Sequence, residues 1–194
     1  MSEFEKLASK IQSCAACDLS RLDVNKKYGK LTMTGHATSA ILFVGQNPSC
    51  YRNETSDHKS FVGRTSGNFF RNLLNQAGFD DKKVFITNLI KCSTAKNIIP
   101  SAKTLETCIY WFNREVELVK PKLIVGLGVF VKKFFDGVQN ELTDWHGYKV
   151  FCTYHPAYVK NYGNVDEFKK ILRRIKEIYD EMKFTQVRLS TCLS

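Results

Sequence analysis

Four apolar runs constrain this chain more than anything else in it: AILFVG (40–45), VFITNLI (84–90), KLIVGLG (122–128) and KVFCTYH (149–155). Each is too short for a buried helix and rich in β-branched or aromatic residues, so each reads as a buried strand. Between them the apolar residues change to helical spacing. Thr65 or Ser66 can cap a helix carrying Phe69, Phe70, Leu73 and Leu74 that ends near Gly78. A second helix starts near Ser101 and runs to Pro121. A third places Phe168, Ile171, Leu172, Ile175, Ile178, Tyr179 and Met182 on one face, with Lys169, Arg173 and Lys176 on the other. Ahead of the first strand, Phe4, Leu7, Ala8 and Ile11 give a short helix that runs into CAAC, and NKKYGK reads as a basic turn.

Strands alternating with helices imply an α/β fold, a three-layer α/β/α sandwich around a central four-stranded parallel sheet. Residues 1–184 are expected to form one domain. The stretch TQVRLSTCLS (185–194) has no clear period and is expected to be a poorly ordered tail. With 43% apolar and 12% aromatic residues the chain can fill a core, which excludes global disorder. No apolar run approaches the roughly 18 residues of a membrane span, and MSEFEKLASK is too polar for a signal peptide. The expectation is a soluble, cytoplasmic monomer.

The charge of +10, from 29 basic and 19 acidic residues, fits either a solvated basic surface or a polyanionic partner. Seven cysteines in a chain without an export signal point to metal or redox chemistry rather than a disulfide framework. Cys14 and Cys17 form a C-x2-C pair, and Cys92 and Cys108 are separated by 15 residues. Four thiolates from a loop, a strand end and a helix suit tetrahedral zinc or an iron–sulfur cluster equally. Cys50, Cys152 and Cys192 read as structural or incidental.

Ligands of a parallel sheet bind beyond the carboxyl ends of its strands. There stand GQNPS, TNLIKC, GLGVF and TYHPAY. Gln46 and Asn47 can orient a water or a ligand, but neither is a general base at neutral pH. His155, the one histidine at such a strand end, is on its own more often a structural residue than a catalytic one. Asn88, an amide in an apolar strand, must find a partner in the backbone or in a ligand. Phe61, in KSFVGRTSGN, is either a core ring or a platform for a base. That stretch ends at a helix N-terminus able to hold a phosphate. GLG (126–128) lacks the rest of a dinucleotide fingerprint and reads as a tight strand-to-helix turn.

Taken in order, these segments resemble the uracil-DNA glycosylase superfamily, and most closely its thermophile-type family four, which carries a 4Fe–4S cluster. CAACDLSR, ILFVGQNPS, SFVGRTSGNFF, FITNLIKC, KPKLIVGLG and TYHPAYVKN carry the resemblance, from Ser13 to about Lys170. It implies a monofunctional DNA glycosylase that leaves an abasic site, with DNA as partner and a 4Fe–4S cluster on Cys14, Cys17, Cys92 and Cys108, zinc being the alternative. It implies that Asn47 positions the attacking water, that Phe61 stacks on a flipped-out base, and that Asn88 pairs with the base edge. Gly45 and Gln46 would line the base pocket. His155 would donate to the carbonyl where leaving-group charge develops, with Arg64, Ser66, Tyr158 and Lys160 on the DNA and Tyr158, Val159 and Lys160 as a wedge. The chain has Gln46-Asn47 where family four has Glu-Ala, a Cys50–Ser60 loop about two residues longer, and KCSTAKNIIP in place of Lys-Cys-Arg-Pro-Pro. These departures open two alternatives: the same chemistry retargeted to a hypermodified base of phage DNA, or a non-catalytic iron–sulfur DNA-binding module.

Overall fold

The computed structural model describes residues 1–35, 39–50, 61 and 65–191, with side chains as far as residue 183. Helix α1 (Glu3–Ser13) opens with a capping box: Ser2 Oγ accepts from the Glu5 N–H while the Glu5 carboxylate accepts from the Ser2 N–H. Helix α2 (Asp23–Tyr28) occupies the stretch expected as a basic turn, and Gly29, at φ 66°, ends it. The remaining elements follow as β1 (Ile41–Gly45), α3 (Thr65–Gln76), β2 (Phe85–Asn88), α4 (Ala102–Val119), β3 (Leu123–Leu127), α5 (Val129–Phe134), β4 (Leu142–Trp145), β5 (Tyr148–Thr153), α6 (Pro156–Tyr162) and α7 (Val165–Thr191). Helix α4 has the expected Ser101 cap, whose Oγ accepts from the Thr104 N–H, and closes at Lys120 in the left-handed region before Pro121. Helix α7 continues to Thr191, into the stretch expected to be a poorly ordered tail.

The sheet order is β2-β1-β3-β5-β4. The four strands read from the sequence are all parallel. A fifth, β4, corrects the expected four-stranded sheet: it pairs antiparallel with β5 at the edge. Its residues, Leu-Thr-Asp-Trp, form no apolar run and none is buried. It is joined to β5 by His146 and Gly147, both at positive φ (48° and 84°), as a two-residue hairpin of this hand requires. Histidine in the place usually taken by Asn or Asp hides that turn from the sequence.

Side chains alternate across the pleat. Ile41 and Phe43 of β1 point to a core shared with Phe70, Leu73 and Leu74 of α3 and Phe168, Leu172 and Ile175 of α7. Leu42 and Val44 point the other way, to Phe112 and Val116 of α4 and to Val131 and Phe135. Helix α3 therefore links β1 to β2 over one face, and α4 carries the chain from β2 to β3 over the other. The direction of winding changes between β1 and β3, and the crevice beyond their carboxyl ends is where such a sheet holds a ligand. Among the described residues no helix is long and apolar enough to cross a membrane.

Candidate functional site

At the exit of β1 three residues converge. A Cβ on Gly45 would run into Asn88 Oδ1 and come within 3.0 Å of the Phe61 ring, so only glycine fits between them. Phe61 sits at φ 56°, a conformation an aromatic residue keeps only where its surroundings enforce it. They do so here. Arg71 Nε donates to the Phe61 carbonyl at 3.0 Å, and Gly67 lets that carbonyl lie against α3, where a Cβ would meet the oxygen at 2.6 Å. The ring stands 5.6 Å from Phe70 and 5.9 Å from the His155 ring, centroid to centroid. Gly45, Phe61, Asn88 and His155, picked from four separate stretches of sequence, thus share one neighbourhood.

Asn88 is buried, and its backbone is fixed by a network that the sequence reading did not single out. Lys91 Nζ donates to the Asn88 carbonyl at 2.6 Å, to Thr87 Oγ1 at 2.9 Å and to Glu115 Oε2 at 2.6 Å. Thr87 Oγ1 donates to the same Glu115 oxygen at 2.6 Å. Lys91 is 1% exposed and Glu115 0%, so neither charge is screened by water. The signal was present as a lysine inside the apolar run TNLIKC and a glutamate on the buried side of α4.

The residues after β1 are held by further hydrogen bonds. The Leu89 and Ile90 N–H groups donate to the Gly45 and Gln46 carbonyls, both at 2.9 Å. Gln46 Nε2 donates to Asn47 Oδ1 at 2.7 Å, and Asn47 Nδ2 donates to the Pro48 carbonyl at 2.8 Å and to Thr94 Oγ1 at 3.4 Å. The two amides are thus a linked pair. Gln46 lines a cleft of about 520 Å³ together with Leu127, Gly128, Val129, Phe130 and His155, which lies at the expected crevice.

His155 is the N-cap of α6. Its Nδ1 accepts from the Ala157 N–H at 3.1 Å, so that nitrogen carries no proton and a neutral ring must carry its hydrogen on Nε2. Burial pushes the pKa of the ring down to about 4. The imidazole is therefore a neutral hydrogen-bond donor at physiological pH. Gly128, at φ 95°, makes the tight turn expected of GLG, and a Cβ there would press within 3.0 Å of His155 Cβ.

Among the described residues no three or more His, Cys, Asp or Glu side chains stand at metal-holding geometry. Cys14, Cys17, Cys92 and Cys108 are nonetheless close enough to repel one another as thiolates. Burial first, and then the nearby Cys108, Cys17 and Cys14 thiolates, together push the Cys92 thiol up to about 12, against the opposing Lys30 ammonium. Burial also raises Cys108, against the Lys91 N–H that donates to its sulfur at 3.3 Å. Trp111 Nε1 donates to Cys14 Sγ at 3.2 Å. A quartet of soft donors, Cys92 and Cys108 buried and Cys14 and Cys17 half-buried, with N–H groups aimed at two sulfurs fits a cationic metal group, which supplies the positive charge that lets such thiols ionise. Cys152 is buried against Gly126 and Gly137 and is structural.

Of the residues expected on DNA, Tyr158 and Lys160 are exposed on α6 and Ser66 is half-buried in the first turn of α3. Val159 is 2% exposed and belongs to the core, which corrects its reading as a wedge: it is the inward-facing residue of the turn whose outer face bears Tyr158. Arg64, and Tyr51, Asp57 and His58 of the longer loop, lie outside the described residues, as does Cys192.

The sequence is similar to known proteins over most of its length. A sequence model of the uracil DNA glycosylase superfamily matches residues 33–176. The chain is 30% identical over 178 residues to the type-4 uracil-DNA glycosylase of Thermotoga maritima, covering 87% of this chain and 88% of that one. It is 30% identical over 192 residues to the type-4 uracil-DNA glycosylase of Sulfurisphaera tokodaii, covering 88% and 84%. The corresponding enzyme of Saccharolobus solfataricus is 31% identical over 173 residues, covering 81% and 77%.

Proposed function

This chain belongs to the uracil DNA glycosylase superfamily, and on that premise we propose that it is a monofunctional DNA glycosylase. It hydrolyses the N-glycosidic bond of a flipped-out uracil and leaves an abasic site. Breaking this bond leaves positive charge on the sugar and negative charge on the departing base, so catalysis needs a donor at the base carbonyl and a water at the sugar. The observation that carries the reading is the His155 tautomer. With Nδ1 occupied by the Ala157 N–H, the Nε2–H is free to donate to the base oxygen as charge develops there. A positioned donor of this kind contributes about 2.7–4 kcal/mol to the rate.

The base itself must leave the stack to be reached. Phe61 supplies a face on which it can stack, Gly45 lets the Phe61 ring and the Asn88 amide close together beside it, and Asn88 pairs with its polar edge. Asn47 holds the attacking water: Oδ1 keeps a lone pair beyond the one that the Gln46 amide occupies. Gln46, expected to line the base pocket, also fixes the orientation of Asn47. Neither amide takes a proton in the ground state, so the water attacks a sugar that has already lost its base, and the proton it sheds neutralises the departed base anion. Lys91, buried and paired with Glu115, is held away from acting as an amine nucleophile, which agrees with hydrolysis without strand cleavage. Tyr158, Lys160, Ser66 and Arg64 contact the DNA beside the target.

Cys14, Cys17, Cys92 and Cys108 would hold a 4Fe–4S cluster. It would cross-link the segment after α1, the end of β2 and α4, with no electron transfer in the hydrolysis. Iron and acid-labile sulfide in equal amounts, about four each per chain, are the expected result. One zinc per chain with no visible absorption would replace the cluster by a zinc site, and Cys92→Ser should lower thermal stability in either case.

The direct test is release of uracil from synthetic DNA, with hypoxanthine and DNAs containing modified cytosines assayed beside it. Uracil release lost in His155→Ala supports the reading. Abasic sites in a modified-cytosine DNA alone would retarget the chemistry, and silence on every substrate with DNA binding retained would leave a binding module.

A further inference from the structure

Helix α6 begins at His155 and carries tyrosines away from it. Tyr158 and Tyr162 are four residues apart and share one face of α6, and Tyr154 stands just ahead of the helix, four residues before Tyr158. Their rings follow one another: Tyr154 and Tyr158 stack at 5.9 Å with an angle of 25° between planes, and Tyr158 and Tyr162 lie 6.2 Å apart at 41°. The inner ring packs against the core. The outer two stand in solvent, Tyr158 at 52% and Tyr162 at 81% exposure. A single exposed tyrosine needs no explanation. Three in sequence, starting one residue before the donor to the leaving base, make an aromatic stair that leads out of the cleft.

What fits the stair follows from its spacing and charge. The faces of successive rings are offered to planar groups, as in sites that bind unpaired nucleic acid by stacking. The 5.9 and 6.2 Å steps are well above the ~3.4 Å rise per nucleotide of a duplex strand. A duplex, whose bases already cover each other's faces, cannot match the rings one for one, whereas a stretched unpaired strand can. Lys160 is exposed on the same helix, two residues from each outer tyrosine and so on a different face, and the chain's net charge of +10 is complementary to a phosphate backbone.

We propose that Tyr154, Tyr158 and Tyr162 form a stacking platform for the unpaired strand next to the target nucleotide, so that the protein favours single-stranded or locally opened DNA over closed duplex. The strand preference rests on the glycosylase reading of the same site, while the platform itself is a binding surface and can be tested without catalysis.

The test uses fluorescence anisotropy with a labelled oligodeoxynucleotide that contains no uracil, as a single strand and annealed to its complement. Tyr162→Ala should lower the ratio of single-strand to duplex affinity about tenfold, within the range of one lost base stack. Tyr162→Trp should restore it. With uracil in the single strand, Tyr162→Ala should raise KM by a similar factor and leave kcat within about twofold. Because Tyr162 is 81% exposed, the alanine variant should fold, which circular dichroism checks. An unchanged ratio in Tyr162→Ala, equal losses on both DNA forms, or no rescue by tryptophan would each overturn the platform. If the ratio falls as expected but the wild type releases no base from any DNA, the platform stands and the glycosylase reading fails.

Discussion

Strands β2 and β5 each end in a residue proposed to touch the base, and the two ends are built on opposite principles. At β2, Asn88 is locked from behind by a buried lysine, a buried glutamate and a threonine hydroxyl. At β5, His155 is set by one local hydrogen bond two residues along its own chain, beside a Gly128 whose missing side chain leaves it space. The first arrangement spends tertiary structure on rigidity, as suits a residue that must recognise an edge. The second uses helix-capping geometry to choose a tautomer, which leaves the outer face of the following helix free for DNA. The difference should separate the two ends experimentally: changes behind β2 should act on folding, and changes at β5 on chemistry.

The largest effect is expected behind β2. Lys91→Met leaves the Glu115 carboxylate buried without its cation and should cost about 3–5 kcal/mol of stability in urea unfolding. Lys91→Met with Glu115→Leu should recover most of that loss, because two well-packed apolar residues can replace a buried ion pair. A single variant that costs under about 1 kcal/mol, or a double variant that recovers nothing, would break the contrast. At β5, His155→Ala should reduce kcat by about 10²–10³ and cost only about 0.5–2 kcal/mol in stability, the scale of a lost helix cap. Equal losses in folding at both ends would mean that His155 is a structural residue after all.

The smallest effect concerns acid stability. The folded His155 titrates at about 4 against an ordinary value of 6.5, so the unfolded chain takes up this proton first. The stabilisation from keeping the ring neutral is complete above pH 6.5 and is lost as pH falls from 6.5 towards 4. The ring borders a cleft, and water there keeps the contribution small. Comparing His155→Gln with the wild type across that window should show the wild type losing slightly more stability on acidification.

The parts of the molecule that were legible in the sequence are those where one physical requirement dominates. Buried parallel strands must be apolar on both faces, so the runs holding Leu42, Ile86, Val125 and Phe151 announce themselves. Strand β4 was not legible because it lies at an edge with no fully buried residue, and its turn takes His146 where Asn would have signalled a hairpin. The helical course of 185–191 was missed because TQVRLST carries no apolar period of its own. Within the site, Gly45, Phe61, Asn88 and His155 stood at strand ends and in motif order. Lys91 did not stand out because a basic residue is read as surface by default, and only its distance to Glu115, 24 positions away, reveals the pair. The Gln46–Asn47 bond was equally beyond the sequence, since two adjacent amides can face together or apart.

The account turns on a neutral His155 that donates through Nε2 to a departing base. Single-turnover release of uracil from a single-stranded oligonucleotide, followed from pH 8 down to pH 4, reads that claim directly. A rate that stays level through pH 6.5 and falls only on approaching about 4, with no such limb in His155→Gln, is the predicted result. A rate that rises as pH falls through 6.5, the signature of a protonated imidazolium acting as the acid, would contradict it.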